Sequence, residues 1–184
     1  MNSWWYALAA EISKSDCERL LNLYIESANQ TGKVGQSKKN EEIRKSKVVG
    51  FPYGSSYAKD INDIIGRYIN LANRECFGFN LNGVQEFQIA EYNVGNFYDE
   101  HMDATLTDNL SQRKLSVTVQ LTNPDNYDGG DFTFTKGINT PSQIELKQQG
   151  TILIFPSFIY HKILPVTRGT RYSLVGWYEG NKWR

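Results

Sequence analysis

Cysteine and histidine are the scarce chemistry of this chain. Its 184 residues hold two of each, Cys17 and Cys76, His101 and His161. Two cysteines so far apart exclude a disulfide scaffold and a cysteine-built zinc site. Two histidines exclude a mononuclear centre of three or four imidazoles within the chain. Net charge is missing too: 20 Lys+Arg stand against 20 Asp+Glu. That balance argues against a protein whose main business is coating nucleic acid or an anionic membrane. No run approaches the roughly 20 apolar residues of a membrane span. The N-terminal Ser3-Trp4-Trp5-Tyr6-Ala7-Leu8-Ala9-Ala10 is short, follows no basic region and runs into Glu11, so it reads as a strand or packing segment rather than a signal peptide. These absences predict a soluble, cytoplasmic protein, a monomer or weak dimer, with no nucleic-acid or membrane partner.

What is present is a core. The chain is 40% hydrophobic and 13% aromatic, enough for one ordinary domain over 1–184. Ser15-Asp16-Cys17-Glu18 has capping-box form, and the helical spacing of Cys17, Leu20, Leu21, Tyr24, Ile25 and Ala28 predicts a helix over 16–29. A second helix is expected from Tyr57 to Cys76, with Ala58, Ile61, Ile64, Ile65, Tyr68, Ile69 and Ala72 on its apolar face. Between them lies a polar stretch rich in lysine, 29–47, which reads as a solvated loop or as a lid with a basic rim; 104–113 is a second lid candidate. Val48-Val49-Gly50-Phe51 is a candidate strand. From about residue 84 the pattern turns to β, with runs near 85–93, 97–103, 114–122, 131–135, 143–147, 151–155, 159–164 and 170–178. The expected fold is therefore mainly β with helices (α+β): a helical front part, 1–83, and a jelly-roll core, 84–180, two helices packing on one sheet. In the strand Lys114-Leu115-Ser116-Val117-Thr118-Val119-Gln120-Leu121 an apolar row alternates with a polar one. The polar row could face water, or face inward in a barrel holding a polar ligand.

The chemistry-bearing residues are few. His101-Met102-Asp103 puts an imidazole and a carboxylate on one side of an extended segment. His161, 58 residues after Asp103, follows an apolar run and supplies a third candidate ligand. Two histidines and one carboxylate form the ligand set that leaves positions open on non-haem Fe(II). Arg171 lies ten residues after His161. Inside a barrel its guanidinium would need an anion, and its planar fork fits a carboxylate. Ser173 shares its side of the strand and offers a hydroxyl.

Taken together, Tyr92-x-x-Gly95-x-x-Tyr98-x-x-His101-x-Asp103, Gly129-Gly130-Asp131, His161 and Arg171-x-Ser173 resemble the 2-oxoglutarate/Fe(II)-dependent dioxygenases, and within them the prolyl 4-hydroxylase-like branch. The resemblance covers about residues 85–180. Before that, Arg44-Lys45-Ser46-Lys47-Val48-Val49 looks like the family's early strand. The resemblance implies a double-stranded β-helix in which His101, Asp103 and His161 hold Fe(II), with 2-oxoglutarate and O2 as cosubstrates and ascorbate as a reductant. It implies that Arg171 holds the distal carboxylate of 2-oxoglutarate, with Tyr92, Ser173 and either Thr118 or Gln120 contributing contacts. Tyr98 and Trp177 would line the substrate side. It also gives the polar row of the 114–121 strand an inward reason. Many prolyl 4-hydroxylases proper carry Lys where this chain has Arg171, so the match is nearer the oxygen-sensing and smaller microbial relatives. The implied reaction hydroxylates a C–H bond, foremost of a prolyl residue in a peptide or protein, and releases succinate and CO2. A free amino acid, a small metabolite or an alkylated nucleic acid would fit the same centre. Against the nucleic acid stand the zero net charge and the lack of a second arginine six residues beyond Arg171, where Trp177 stands. From a different class, a non-catalytic jelly-roll binding module is disfavoured by the intact ligand set.

Overall fold

The computed structural model of the chain describes residues 4–31, 35–36, 42–104 and 112–182. Of the candidate lids, residues 32–34 and 37–41 of the first and 105–111 of the second lie outside the described residues; the described part of the first includes the end of the first helix and two short strands. Thirteen strands and three α-helices are present among those residues. Seven strands form the major sheet, in the spatial order β1 (Tyr6–Leu8), β10 (Ile152–Pro156), β7 (Arg113–Gln120), β13 (Arg171–Gly180), β5 (Leu81–Tyr92), β4 (Lys47–Pro52) and β2 (Gly35–Gln36). Four more form a minor sheet, in the order β3 (Arg44–Lys45), β6 (Phe97–His101), β11 (His161–Ile163) and β9 (Phe132–Phe134). A two-stranded ribbon joins β8 (Tyr127–Gly129) to β12 (Val166–Gly169). The fold is a jelly roll, and every paired strand runs antiparallel to its neighbour.

Two apolar clusters flank the major sheet. On one side Leu115, Val117, Val119 and Leu121 pack with Phe87, Ile89 and the helical residues Leu20, Ile61, Ile65 and Ile69. On the other, Ala90, Tyr92, Leu153 and Phe155 meet Phe132, Phe134 and Ile163 of the minor sheet. Helices α1 (Lys14–Thr31) and α2 (Ser56–Ala72) therefore cover only one face. No described helix is long and apolar enough to cross a membrane.

Several local expectations need correction. The cap of α1 is Ser13, two residues before the predicted Ser15. Its Oγ accepts from the Asp16 N–H at 3.1 Å, and its carbonyl accepts from the Cys17 N–H at 2.9 Å. α2 is capped by Ser55, whose Oγ accepts from the Ala58 N–H. Residues Asn73–Phe77, expected as the end of this helix, form a π-helical turn closed by Gly78 at φ 67°. The segment 143–147, expected as a strand, is the short helix α3 (Gln143–Leu146). A strand would put Ile144 and Leu146 on one face; the helical turn leaves Ile144 exposed and buries Leu146. The strands β8 and β12 were not foreseen, being three or four residues long. Nor does the chain divide at residue 83/84: β1 pairs with β10 and β4 with β5, so front-half strands complete the major sheet.

One polar knot ties helix to sheet. Glu91 on β5 accepts from the Tyr24 hydroxyl of α1 at 2.7 Å, Lys47 of β4 at 2.9 Å, Asn93 at 2.6 Å and the Tyr172 hydroxyl of β13 at 3.3 Å. Burial works to raise its carboxyl, but Lys47, Tyr24 and Asn93 together hold it below the usual carboxylate range. A carboxyl lowered in the folded state stabilises fully above its unfolded value, about 4.3, and ceases to do so as pH falls through the folded one. Glu91→Gln is expected to cost about 2 kcal/mol at pH 7 and to flatten the loss of stability as pH falls below about 4.3. Urea titrations across that range check it; an unchanged pH slope would show that Glu91 does not govern acid unfolding.

Candidate metal centre and cosubstrate chamber

The strands β6 and β11 pair so that His101 and His161 stand directly opposite one another. Their ring centroids are 4.3 Å apart. Asp103 lies two residues beyond the end of β6, where the chain bends and its N–H donates to the Ser157 carbonyl at 3.0 Å. One ligand atom from each of the three residues lies within 4.8 Å of the others. His101 Nε2 is 3.7 Å from Asp103 Oδ1, and His161 Nε2 is 3.6 Å from Asp103 Oδ2.

The backbone selects which nitrogen is free. His101 Nδ1 lies 2.7 Å from the Asp99 carbonyl and His161 Nδ1 lies 2.9 Å from the Ile159 carbonyl. A carbonyl only accepts, so each Nδ1 carries a proton and each Nε2 faces Asp103. Burial, reinforced by the neighbouring His161, pushes His101 down to about 4, which leaves it neutral at pH 7. Burial alone would raise the Asp103 carboxyl. The two imidazoles and the Ser116 hydroxyl outweigh that and hold it below its ordinary value. Ser116 Oγ donates to Asp103 Oδ2 at 2.7 Å and also lies 3.0 Å from Ser157 Oγ. Its single proton is shared between the carboxylate, at the shorter distance, and Ser157 Oγ. Two imidazole nitrogens and one carboxylate, each oriented by a hydrogen bond, suit Fe(II) with open positions rather than a closed zinc site.

Tyr98 stacks on His101 with centroids 3.5 Å apart and planes 12° apart. Burial pushes its phenol up to about 12, so it stays protonated. Trp177 lies in the wall of the same cavity, with the Arg113 guanidinium 3.8 Å above its ring. Its indole N–H meets no acceptor at hydrogen-bond distance, though it is close enough to help lower Asp103.

A smaller cavity adjoins the first through Thr118 and Phe132 and contains Arg171. Arg171 is 4% exposed. It pairs across β13 and β5 with Tyr92, whose ring centroid is 5.6 Å from the guanidinium carbon, and its Nη1 donates to Ser173 Oγ at 3.2 Å. No carboxylate among the described residues forms an ion pair with it. Gly130 makes the room. At φ 61° it sits where a Cβ would come within 2.8 Å of Arg171 Cδ. Gln120 spends its amide N–H on the Thr122 carbonyl and leaves Oε1 without a partner.

The polar row of β7 thus faces inward: Ser116 reaches the carboxylate, Thr118 lines both cavities and Gln120 lines the second. All ten residues singled out from the sequence converge on this region. Ser116, Ser157, Arg113 and Arg44 were missed as parts of it. Ser116 stood in the inward row, but its partner lies 13 residues away across strands, and no spacing rule links them. A wider groove lies elsewhere, between α2 and the start of β5, beside Tyr53, Lys59, Arg67 and Tyr178. It contains no histidine or cysteine.

A model of the 2OG-Fe(II) oxygenase superfamily matches residues 87–179, just over half of the chain. The chain belongs to the 2OG-Fe(II) oxygenase superfamily. A PKHD-type hydroxylase of Synechococcus sp. (strain CC9311) is 34% identical over 128 residues, 69% of this chain and 56% of that protein. One of Gloeothece citriformis (strain PCC 7424) is 32% identical over 97 residues, 52% of this chain and 43% of that protein. The chain spans about half the length of the curated relatives it matches. Among solved structures, a prolyl-4-hydroxylase of Pseudomonas putida superposes with TM-score 0.74 at 22% identity, covering 97% of this chain and 94% of that one. A prolyl hydroxylase of Trichoplax adhaerens, in complex with a hypoxia inducible factor oxygen degradation domain peptide fragment, superposes with TM-score 0.72 at 20% identity, covering 96% and 84%. At these identities the superpositions establish the fold.

Anaerobic Fe(II) titration is expected to find one site in this oxygenase, none after Asp103→Ala, and one weakened about 10- to 100-fold after Ser116→Ala. Equal affinities in all three proteins would put the ion elsewhere.

Proposed function

We propose that the protein is a 2-oxoglutarate-dependent hydroxylase acting on a C–H bond, in the first place of a prolyl residue in a peptide or protein, with His101, Asp103 and His161 holding Fe(II). The observation that carries the cosubstrate assignment is the buried Arg171, which has no carboxylate partner among the described residues and lies in a cavity adjoining the triad. Leaving such a charge uncompensated is costly, and a dicarboxylate reaching from the metal would supply the missing anion. The names of the relatives and structural neighbours support the choice of hydroxylation and of proline.

When bound, Fe(II) with 2-oxoglutarate and O2 supplies the oxidising power, the keto acid leaving as succinate and CO2. The chain's own residues do the rest. Arg171 would grip the distal carboxylate through its fork, and Ser173, whose hydroxyl accepts from Arg171, keeps its proton free to donate to the same group. Thr118, which lines both cavities, suits that role better than Gln120, whose amide is already tied to the Thr122 carbonyl. Tyr92 supports the guanidinium from below. Phe132, Phe155, Ile163 and Val175 give the metal cavity an apolar wall that keeps bulk water from the reacting centre. Tyr98 and Trp177 form its substrate side. No general base is needed for the central step, so the chain's two histidines are both available as ligands.

The test is a panel of proline-containing peptides and free amino acids with Fe(II), 2-oxoglutarate and O2, scored by succinate release and a mass gain of one oxygen. Arg171→Ala is expected to raise the KM for 2-oxoglutarate on the order of 100-fold while leaving Fe(II) affinity in place. An unchanged KM would remove Arg171 from the cosubstrate site. Turnover of amino acids with none of the peptides would move the substrate to a small molecule.

A further inference from the structure

The metal cavity has one charged side chain that neither the triad nor the cosubstrate uses. Arg44 stands on β3, in register with Tyr98 of β6, and lines the same cavity as the triad. Its guanidinium carbon is 4.6 Å from the Tyr98 ring centroid. His101, stacked at 3.5 Å, already occupies one face of that ring. The two cannot share a face, so the order is Arg44, Tyr98, His101, and the guanidinium stands two stacked layers out from a metal-ligand candidate.

Nothing in the described residues neutralises it. Its Nε donates to Ser46 Oγ at 2.8 Å, which leaves both terminal nitrogens. No described ion pair includes Arg44. Of the described acids nearby, Glu91 is engaged by Lys47, Tyr24 and Asn93, Glu100 by Lys136 and Asp103 by Ser116, while Glu42 and Asp99 form no ion pair with Arg44. A half-buried guanidinium held by one hydroxyl and one ring face, with its fork unused, is preorganised for an anion.

We propose that Arg44 recognises a carboxylate of the substrate, so that the hydroxylated residue lies within an acidic peptide, one or two positions from an Asp or Glu side chain. This rests on the peptide-hydroxylase reading above. The reach follows from geometry: an extended peptide advances about 3.5 Å per residue, so a side chain one or two residues from the target spans the two stacked layers. A single fork suits one carboxylate better than a polyanion. Gripping a nucleic-acid backbone takes several cations; of the described lysines nearby, Lys47 is spent on Glu91 and Lys136 on Glu100, which leaves only Lys45, next to Arg44 on β3.

The experiment uses blocked pentapeptides with a central proline, each made as twins bearing Asp or Asn at one flanking position. Binding to the full chain loaded with Mn(II) and 2-oxoglutarate is read by calorimetry, and turnover with Fe(II) by succinate release and mass. The expected result is that at least one Asp peptide binds about tenfold or more tightly than its Asn twin. Arg44→Gln removes that preference, Arg44→Lys keeps part of it, and Arg44→Glu transfers it to a Lys-bearing peptide. Near-UV circular dichroism establishes that each variant is folded. Twins that bind the wild-type chain equally overturn the proposal. So does an Arg44→Gln protein that weakens both twins alike, which would make Arg44 a support for Tyr98. A single-stranded DNA that displaces the Asp peptide through Arg44 would also overturn it, in favour of a polyanion. Charge preference that survives replacing proline by alanine, with no oxygen gained by any peptide, keeps the Arg44 assignment and removes the prolyl hydroxylase reading. Oxygen gained without charge preference does the reverse.

Discussion

The strict alternation along β7 is the constraint on which most of the molecule depends. Leu115, Val117, Val119 and Leu121 join the cluster that α1 and α2 cover. With a side-chain period of two, the intervening residues must then point to the other face. There Ser116, Thr118 and Gln120 are enclosed by the minor sheet, where water cannot satisfy them. Polar groups so enclosed need partners: Ser116 finds one in Asp103 and Gln120 one in the Thr122 carbonyl. Sliding the strand by one residue would expose the helices to a hydroxyl row and fill the chamber with aliphatic side chains. The helical layer and the chamber are two consequences of one register.

The centre is built from backbone as much as from side chains. Antiparallel pairing sets His101 opposite His161, and carbonyls of the same two strand regions take both Nδ1 protons. Neither imidazole can swing without losing that bond, so the Nε2 atoms stay turned toward Asp103. Asp103 is anchored separately, through its N–H to Ser157 and through Ser116 to its carboxylate. Arg171 is the counterpart at the far end, a cation kept in an apolar interior by Tyr92, Ser173 and the space Gly130 leaves. Negative charge at one end and positive at the other, with Thr118 between, is complementary to a molecule that carries a metal-chelating end and a distal anion.

Some features were readable early because they are local or periodic. The apolar face of α2, the alternation of β7 and the spacing from Tyr92 to Arg171 are kept, and so is the face of α1 except at Ile25, which is 52% exposed. Failures occurred where two local patterns compete. Ser13 and Ser15 both offer a cap to α1, and the one preceded by the buried Ile12 prevails. Ile144 and Leu146 alternate as a strand would, yet the carbonyl of Ser142 accepts from both Glu145 and Leu146 and closes a helical turn. Strands as short as β8 and β12 have too few residues to show a period.

By itself the sequence determined which chemistry was available: two histidines, one carboxylate two residues from the first, and an arginine beyond the second. It also determined the helices and sheet that carry them, because hydrophobic period and turn residues act over short range. Only the tertiary structure decided that the polar row of β7 faces inward, that Ser116 and Ser157 steady the carboxylate, and that Arg44 stands over Tyr98. Those arrangements join strands remote in the chain, and they depend on sheet register and on which face the helices occupy. Neither quantity is a property of any one segment, so neither could be read until all the segments were packed together.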